Sequence, residues 1–461
     1  MGVKAAYMVP HPPLIVPEVG RGEEKRIRST TEAFEEVGRR ICRQNPDTVI
    51  LVSPHQILYG DYFHISPGVG ASGDFGRFGA GQVKVEAVYD TEFTEMLCQF
   101  AAGEGLPAGT LGEREKALDH GTMVPLYFIN RYCRDYRLVR IGLSGLSFAE
   151  HYRLGQLVRR TAEALERNAV LIGSGDLSHR LKKDGPYGYR KEGPQYDKAI
   201  MEIMEKGAFG ELLEMPEDFC EKAGECGHRS FVILAGAMDG QSVRSERLSY
   251  EGPFGVGYGV CAYEAEGPDF SRCFLEAYEE KKRLERLRRR EQEDAYVRLA
   301  RETIEHYVRT GQIIGTPEGL PEEMCGRRAG VFVSLKKDGR LRGCIGTIQA
   351  VQSHIAEEII CNAVSACSRD PRFSPVGQEE LEQLTVSVDV LGDTEKIASP
   401  GELDAKRYGV VVTKGYRRGL LLPNLEGVDT VEEQIAIAKR KAGIGEHEEA
   451  ELERFEVVRH V

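Results

Sequence analysis

The first half of the chain alternates short apolar runs with amphipathic segments, a pattern typical of an α/β domain. The apolar runs are 5–9, 48–52, 138–143, 169–172 and 255–263. Such runs are expected of strands that are buried on both faces of a sheet. Residues 25–42 and 151–167 carry apolar side chains at helical spacing. Strands that alternate with helices predict a mostly parallel sheet.

The same half contains further segments whose pattern predicts local structure. Helices are expected over 97–102, 122–129, 196–213 and 231–238. Residues 59–90 are rich in glycine and aromatic residues, which predicts a hairpin or a long loop. The first half is therefore expected to form one α/β domain.

The second half has a different pattern, in which strands come in pairs joined by turns. Strands are predicted at 330–334, 340–347, 384–391, 409–413 and 419–423, and helices at 296–307, 355–367 and 431–442. Asp338-Gly339 and Lys414-Gly415 lie between paired strands, as in β-hairpins. This order predicts an α+β domain with an antiparallel sheet.

The length of the chain and a change in composition predict the domain boundaries. The 461 residues are too many for one compact core. Residues 277–294 are a run of Glu, Lys and Arg, typical of a solvated helix. We therefore predict an α/β domain over 1–265, a charged helical linker over 266–294 and an α+β domain over 295–461.

Charge and composition argue against several functions. The net charge of −12 argues against nucleic-acid binding, since that requires a basic surface. No run of about 18 apolar residues occurs, so neither a membrane-spanning helix nor a membrane partner is expected. The 11 cysteines include no CxxC pair. In a chain of this length, that predicts reduced thiols and a cytoplasmic protein.

Histidines and a carboxylate stand at breaks before or after the predicted elements of the α/β half. They are His11, His55, His120, His179 and Glu225. His11, His55 and His179 follow predicted strands, the last through Gly173-Ser-Gly175. In open α/β sheets, ligands bind beyond the carboxyl ends of the strands, and glycine lets the backbone approach them closely. Several histidines at one sheet edge favour a metal site.

Such a set of residues suits metal and acid–base chemistry. Two histidines and one carboxylate are typical ligands of non-haem Fe(II), and zinc accepts the same set. Histidines that do not bind the metal are suited to proton transfer, because their usual pKa lies near neutrality. Asp119 precedes His120 and is a candidate to fix the tautomer of its ring.

Four segments of this half resemble the motifs of class III extradiol dioxygenases, the LigB-like proteins. They are Pro10-His11-Pro12-Pro13, Ser53-Pro54-His55, Asp119-His120-Gly121 and Gly173-Ser-Gly-Asp-Leu-Ser-His179. The resemblance covers roughly the first 265 residues and implies an α/β fold with a metal at the sheet edge. It implies His11 and His55 as ligands and Glu225 as the third ligand. It also implies His120 and His179 as the acid and base that move the protons of a catechol.

The third ligand has alternatives. Glu225 is followed by Cys226-Gly227, and the Memo proteins of the same superfamily carry a Cys-Gly at the comparable place. The resemblance to Memo implies a site of histidines with a cysteine. Cys226 or His120 is therefore an alternative third ligand, and both the metal and the ring cleavage depend on which residue binds.

Residues from about 295 to 461 resemble the AMMECR domain. The resemblance is carried by Leu341-Arg-Gly-Cys-Ile-Gly-Thr347, by Asp370-Pro-Arg-Phe373 with Pro375, and by Gly419-Leu-Leu-Leu-Pro423. An AMMECR-type, a Memo-type and a radical-SAM protein form the AmmeMemoRadiSam system. A chain that joins the first two resembles the protein A type of that system, which implies a radical-SAM partner.

Arg342, Cys344, Asp370 and Arg372 are candidates for a site in the α+β half. Arg342 is a cationic neighbour that would favour the thiolate form of Cys344. The alternative is that Cys344 is a small buried residue of a strand. Likewise, Arg342, Asp370 and Arg372 either line a pocket or pair with one another to fix loops.

Three functions fit these observations. The first is a non-haem Fe(II) enzyme with extradiol-dioxygenase-like chemistry on an aromatic or catechol-like small molecule. The second is a zinc or iron hydrolase that activates water at the same site. The third is a non-catalytic binding module of the AmmeMemoRadiSam system. The identity of the metal separates the first two, and turnover separates both from the third.

Overall fold

The protein is described from a computed structural model that covers residues 2–112, 117–337, 339–425 and 427–461. The chain divides into two compact units, residues 1–281 and 282–461. The division lies within helix Phe274–Gln292, inside the segment 266–294 that the sequence predicts as a linker. In the part of the chain that the structure describes, no helix is long and apolar enough to cross a membrane.

A six-stranded sheet forms the centre of the N-terminal unit. The strands of this unit are β1 (Gly2–Val9), β2 (Thr48–Ser53), β3 (Phe63–His64), β4 (Gly70–Phe75), β5 (Ala80–Val88), β6 (Ala108–Gly109), β7 (Arg137–Gly142), β8 (Asn168–Ser174), β9 (Gln241–Glu251) and β10 (Tyr258–Pro268). The order in the central sheet is β7-β2-β8-β1-β10-β9. The first four strands are parallel, whereas β10 runs antiparallel to β1 and β9. The predicted sheet is therefore confirmed as mixed and mostly parallel.

Helices cover both faces of the central sheet. They are α1 (Pro17–Gly20), α2 (Arg28–Gln44), α3 (Thr91–Gly103), α4 (His120–Ile129), α5 (Phe148–Ala164), α6 (Glu192–Lys206), α7 (Gly210–Glu214), α8 (Glu217–Ala223) and α9 (His228–Ala237). Ala6 and Met8 of β1 pack in one core with α3, α5 and α9, whereas Tyr7 and Val9 pack in a second core with α2 and α4. Burial on both faces explains the apolar runs within these strands.

Parts of this unit differ from the elements that the sequence predicts. A single helix over 196–213 is wrong, because Gly207 adopts a φ of 62° and ends α6 before α7 begins. Strand β9 is missed because it lies at the sheet edge and is mostly polar. Residues 59–90 contain the β4–β5 hairpin, one of the two structures predicted for them.

The C-terminal unit contains two four-stranded antiparallel sheets, where the sequence predicts one. Its strands are β11 (Val331–Lys337), β12 (Arg340–Gly346), β13 (Leu384–Leu391), β14 (Glu395–Ile397), β15 (Gly409–Lys414), β16 (Arg417–Leu421), β17 (Glu451–Phe455) and β18 (Val457–His460). After α10 (Phe274–Gln292), the helices are α11 (Ala295–Thr310), α12 (Glu322–Gly326), α13 (Ile355–Ser368) and α14 (Val431–Lys441). The sheet orders are β12-β11-β13-β18 and β14-β17-β15-β16.

Turn residues make the paired strands of this unit predictable, and short strands make the second sheet hard to predict. The β15–β16 hairpin is confirmed, with Gly415 at a φ of 61° between its strands. β11 and β12 also form a hairpin, with Gly339 at a φ of 79°, while Asp338 lies outside the described residues. The missed strands β14, β17 and β18 have only 3, 5 and 4 residues.

One face of the sheet β12-β11-β13-β18 forms the larger core of the C-terminal unit. Val333, Leu335 and Val388 pack there with α11 and α13. Helix α13 packs so close to strand β12 that a Cβ at Gly343 would lie 2.3 Å from the carbonyl oxygen of Ala366. Glycine is required at this position because it alone leaves room for the helix backbone.

Candidate metal centre

Three neighbouring parallel strands end at one edge of the central sheet. β2, β8 and β1 are adjacent, and they end at Ser53, Ser174 and Val9. His55 follows soon after Ser53, and His11 soon after Val9. Because parallel strands place their carboxyl ends at the same edge of a sheet, the two imidazoles arrive side by side.

Two imidazoles and a thiol meet at this edge. The Nε2 atoms of His11 and His55 are 2.9 Å apart, and Cys226 Sγ lies 3.6 Å from His11 Nε2. Among the described residues, these three form a group whose ligand atoms all lie within 4.8 Å of one another. We call it the His-His-Cys cluster. His11 is buried, Cys226 is half-buried and His55 is exposed, so the cluster is accessible from one side.

The spacing of the His-His-Cys cluster fits one metal ion. A tetrahedral zinc site with the usual bond lengths places two nitrogen ligands about 3.3 Å apart, and a nitrogen and a sulfur about 3.6 Å apart. The corresponding distances in the cluster are 2.9 Å and 3.6 Å. Imidazole and thiolate together suit zinc, iron or copper. Three protein ligands leave a position for water or substrate.

The ring of His11 is held in the tautomer that a metal requires. Helix α4 contains Pro125, which has no N–H to donate to the carbonyl of Gly121 four residues earlier. Ser174 Oγ donates to that carbonyl instead, at 2.6 Å. The Ser174 hydroxyl has only this one proton to donate. In the 3.0 Å contact between Ser174 Oγ and His11 Nδ1, the imidazole must therefore be the donor and the hydroxyl oxygen the acceptor. The lone pair of His11 is therefore on Nε2, which faces the rest of the cluster.

A close crossing of two backbone segments brings Cys226 to the cluster. The loop between α8 and α9 crosses the end of β8 so tightly that a Cβ at Gly175 would lie 2.1 Å from Gly227 Cα. Asp176 N donates to Cys226 Sγ at 3.3 Å, and Cys226 N donates to the Asp176 carbonyl at 3.3 Å. Gly175 at the strand exit and Gly227 after Cys226 therefore both allow this close backbone approach.

His120 lies beside the cluster at the start of α4. Its ring centroid is 4.0 Å from that of His55 and 5.4 Å from that of His11. The helix comes this close because residue 121 is glycine, where a Cβ would lie 3.3 Å from the His55 ring. Phe78, at the tip of the β4–β5 hairpin, lies 5.5 Å from the His120 ring. The hairpin therefore borders the site.

His179 lies beside Asp176, beyond the end of β8. His179 Nε2 is 4.0 Å from Asp176 Oδ2, and Asp176 Oδ1 accepts the backbone N–H of His11 at 2.7 Å. The ring of Tyr187 lies 5.1 Å from that of His179. Tyr187 is 63% exposed, so a second aromatic ring borders the accessible side of the site.

Asp119, which we expected to orient the His120 ring, uses its carboxylate to bind other groups. Oδ1 accepts from Ser53 Oγ at 2.6 Å and from Thr122 N at 3.0 Å. Oδ2 accepts from Thr122 Oγ1 at 2.8 Å and from Arg140 at 2.9 Å. Burial acts to raise the pKa of Asp119, but the Arg140 charge and these hydrogen bonds outweigh burial and lower it. Asp119 therefore caps α4 and ties it to β2 and β7, as a positioning residue for His120.

Glu225, which we expected to be the third ligand, lies outside the His-His-Cys cluster. Its Oε2 accepts the backbone N–H of His228 at 2.6 Å, where α9 begins. A carboxylate at that place satisfies a free N–H group of the first helical turn and interacts favourably with the helix dipole. Burial raises the pKa of Glu225 to about 7. The neighbouring thiol, not this carboxylate, is grouped with the two histidines.

Burial is the main influence on ionisation at the site. It is the largest cause of lowered pKa values at His11, His55, His120 and His179. The pKa of His120 falls to about 3, since burial is reinforced by the neighbouring imidazoles. Burial also raises the pKa of Asp176 and of the Cys226 thiol. A cation at the cluster would act in the opposite direction on the thiol, because it favours the thiolate.

Ser174 and Asp176 belong to the site, although sequence reasoning assigns them no role. Both lie in the Gly173–His179 motif, and that position is the signal that could have identified them. The function of Ser174 depends on Pro125 in another helix, which only the tertiary structure brings near.

Three of the four candidates of the C-terminal unit, Arg342, Asp370 and Arg372, form ion pairs. Arg342 forms a two-bond ion pair with Glu380, at 2.8 and 3.0 Å. Asp370 accepts the backbone N–H of Cys344 at 2.9 Å, and Arg372 donates to the backbone carbonyl of Cys344 at 3.0 Å. Asp370 and Arg372 also form an ion pair with each other. Cys344 lies on the edge strand β12, so this pair satisfies backbone groups that a further strand would bind.

Comparisons with known proteins agree with this architecture. Residues 5–261 match the family model described as the catalytic LigB subunit of aromatic ring-opening dioxygenase, and residues 297–460 match AMMECR1. The fusion that the sequence predicts is therefore confirmed.

Similar proteins occur in bacteria and archaea. A Clostridium acetobutylicum protein is 47% identical over 474 residues, covering 100% of this chain and 99% of its own length. A Thermotoga maritima protein is 53% identical over 170 residues, which are 36% of this chain and 98% of that protein. A crystal structure from Pyrococcus horikoshii is 35% identical, covers 36% of this chain and 88% of its own, and has a TM-score of 0.34. Through residues 5–261, the chain belongs to the family of the catalytic LigB subunit of aromatic ring-opening dioxygenases, and an AMMECR1 domain follows.

Proposed function

We propose that the N-terminal unit is a metal-dependent enzyme in which His11, His55 and Cys226 bind a non-haem Fe(II). The proposed substrate is a catechol-like aromatic small molecule. The observation that carries this proposal is the geometry of the His-His-Cys cluster, with the lone pair of His11 fixed on Nε2. Membership of the LigB family supports the reaction class.

The residues around the cluster are suited to binding a planar substrate and moving its protons. Bound iron(II) supplies a Lewis acid and an electron source for dioxygen. His120 and His179 would take a proton from a substrate hydroxyl and give a proton back as the ring opens. Phe78 and Tyr187, beside these imidazoles, offer aromatic faces to the substrate ring. Asp176 faces His179 Nε2 at 4.0 Å and stabilises its protonated form.

A second candidate reaction is hydrolysis with zinc, and Cys226 is the observation that favours it. Two histidines with a carboxylate are the usual ligands of Fe(II) oxygenases, whereas a thiolate is a common ligand of zinc. In this case, the same imidazoles take the proton of the attacking water. Metal identity and the need for dioxygen distinguish the two reactions.

The proposal is tested by elemental analysis of the full chain, purified anaerobically without chelators. We expect about one metal per chain in the wild type and in Glu225→Gln, which keeps an oxygen acceptor for the N–H of His228. We expect Cys226→Ala to lose most of the metal. Iron with catechol-dependent oxygen uptake supports the dioxygenase, and zinc supports the hydrolase. Loss of metal in Glu225→Gln with retention in Cys226→Ala would contradict the proposed ligand set.

A further inference from the structure

The segment that carries His179 is anchored through the residue before it, Ser178, which is buried. Ser178 Oγ donates to the carbonyl of Ala223, at the end of α8, at 2.7 Å. The backbone carbonyl of Ser178 accepts from Gly257 N, just before β10, at 2.9 Å. Its backbone N–H donates to Asp197 Oδ1, on α6, at 2.8 Å. Three separate segments of the N-terminal unit therefore fix the backbone beside His179.

The backbone of His179 is also tied to the loop that carries Cys226. His179 N donates to the carbonyl of Gly224 at 3.1 Å, and Gly224 lies in the loop between α8 and α9. The imidazole faces Asp176, with 4.0 Å between Nε2 and Oδ2. The position of this imidazole relative to the His-His-Cys cluster therefore depends on how firmly the backbone around it is held.

Asp197 is the one anchor of Ser178 in which a side chain from another element binds the backbone. Asp197 is 1% exposed, and its second oxygen, Oδ2, accepts from the Tyr250 hydroxyl at 2.9 Å. It forms no ion pair with any residue that the structure describes, and burial raises its pKa to about 7. Burying a carboxylate without a cationic partner is unfavourable. What Asp197 contributes is therefore the two hydrogen bonds that it accepts.

Two glycines allow the elements around Asp197 to pack closely. A Cβ at Gly257 would lie 2.0 Å from Asp197 Oδ2. A Cβ at Gly193, in the first turn of α6, would lie 2.6 Å from Ser178 Oγ. With glycine at both positions, α6 and the start of β10 enclose the carboxylate and Ser178 without a clash. The contact between Asp197 and Ser178 is therefore part of a closely packed interface.

We propose that Asp197 is a positioning residue for His179, which it holds beside the metal centre through the backbone of Ser178. This role rests on the proposed function, in which His179 moves substrate protons. An acid or base acts only when it lies within hydrogen-bond reach of the proton, so its backbone must be held in place. Burial is also the largest cause of the lowered pKa of His179. A loosened backbone would let water reach the imidazole.

The experiment measures the pKa of His179 in the full chain as purified. The pKa is obtained from the pH dependence of deuterium exchange at the imidazole Cε1–H, read by peptide mass spectrometry. In Asp197→Ala, the Ser178 N–H loses its acceptor, and we expect the pKa of His179 to rise toward its ordinary value of about 6.5. Asp197→Asn keeps an oxygen acceptor and should retain the wild-type pKa. His64, buried on β3, is the internal reference and should not change.

Asp239→Ala is the matched control for a purely structural effect. Asp239 is 3% exposed and accepts the same two kinds of donor, the Tyr152 hydroxyl at 2.6 Å and the backbone N–H of Phe274 at 2.8 Å. It lies beyond the far end of α9, the helix that begins at the site. Asp239→Ala should lower the free energy of unfolding, as Asp197→Ala does, but should leave the pKa of His179 unchanged.

Ser178→Ala is a milder second variant, which decides the question if Asp197→Ala does not fold. It removes only the hydroxyl that binds Ala223, and it should move the pKa of His179 in the same direction. An unchanged pKa in both variants, an equal rise in Asp239→Ala, or a rise that persists in Asp197→Asn would overturn the proposal.

This measurement requires neither bound metal nor substrate, so its failure is distinguishable from failure of the proposed function. A folded Asp197→Ala chain with wild-type metal content and an unchanged pKa of His179 contradicts the positioning role alone. A raised pKa of His179 in Asp197→Ala supports the positioning role even if the metal analysis contradicts the proposed ligand set.

Discussion

Removing one hydroxyl, in Ser174→Ala, should weaken metal binding without removing any ligand. Ser174 Oγ accepts from His11 Nδ1 at 3.0 Å because its own proton is donated to the Gly121 carbonyl at 2.6 Å. In Ser174→Ala, the His11 ring loses the group that fixes its tautomer. The fraction of rings with the lone pair on Nε2 then falls, and the ring is held less firmly.

The expected size of this effect follows from the nature of the contact. Loss of a hydrogen bond to a metal-ligating histidine typically lowers metal affinity 10- to 100-fold, or about 1.4 to 2.8 kcal/mol. The upper part of this range is expected here, because His11 and Ser174 are buried and water does not readily replace the hydroxyl. Loss of the donor to Gly121 also destabilises the start of α4, by about 1 kcal/mol.

The assay is competition for Fe(II) or Zn²⁺ with a chromogenic chelator under anaerobic conditions. Ser230→Ala is the matched control, because Ser230 is buried near the end of β8 and its hydroxyl has no hydrogen-bond partner among the described residues. Its metal affinity should match that of the wild type within about twofold. Equal affinities of Ser174→Ala and the wild type would refute the assignment of the His11 tautomer.

Three further predictions concern the fold. Asp119→Asn should lower the free energy of unfolding by about 3 kcal/mol in urea denaturation, since it removes the charge opposite the buried Arg140; an unchanged midpoint would contradict this. Gly346→Ala should lower the free energy of unfolding by about 1–3 kcal/mol, because the new Cβ would lie 2.2 Å from the Phe332 ring, and should leave the metal content unchanged. Gly326→Ala, whose Cβ would meet no atom within 4 Å, should be nearly neutral in calorimetry. Expressed separately, residues 1–281 and 282–461 should each unfold in one transition, and aggregation of both would count against this division.

The elements that the sequence predicts well are those whose residue pattern follows from burial of a strand or from the backbone conformation of a turn. The central residues of β1, β2 and β8 are apolar because both faces of these strands are buried, and His11 and His55 follow the ends of β1 and β2. The β15–β16 hairpin is predictable because its turn needs glycine at a positive φ. Strand β9 and the short strands of the second C-terminal sheet carry no such pattern, since pairing with distant partners stabilises them.

The sequence by itself determined the two kinds of domain and the chemical groups available to each. It placed histidines at strand exits, where the order of parallel strands makes them converge. Tertiary structure decided between Glu225 and Cys226 as the member of the cluster, because the crossing at Gly175 and Gly227 brings the thiol to His11 while a helix terminus engages the carboxylate. Adjacent residues point in different directions, and only packing between distant segments decides which one faces the site.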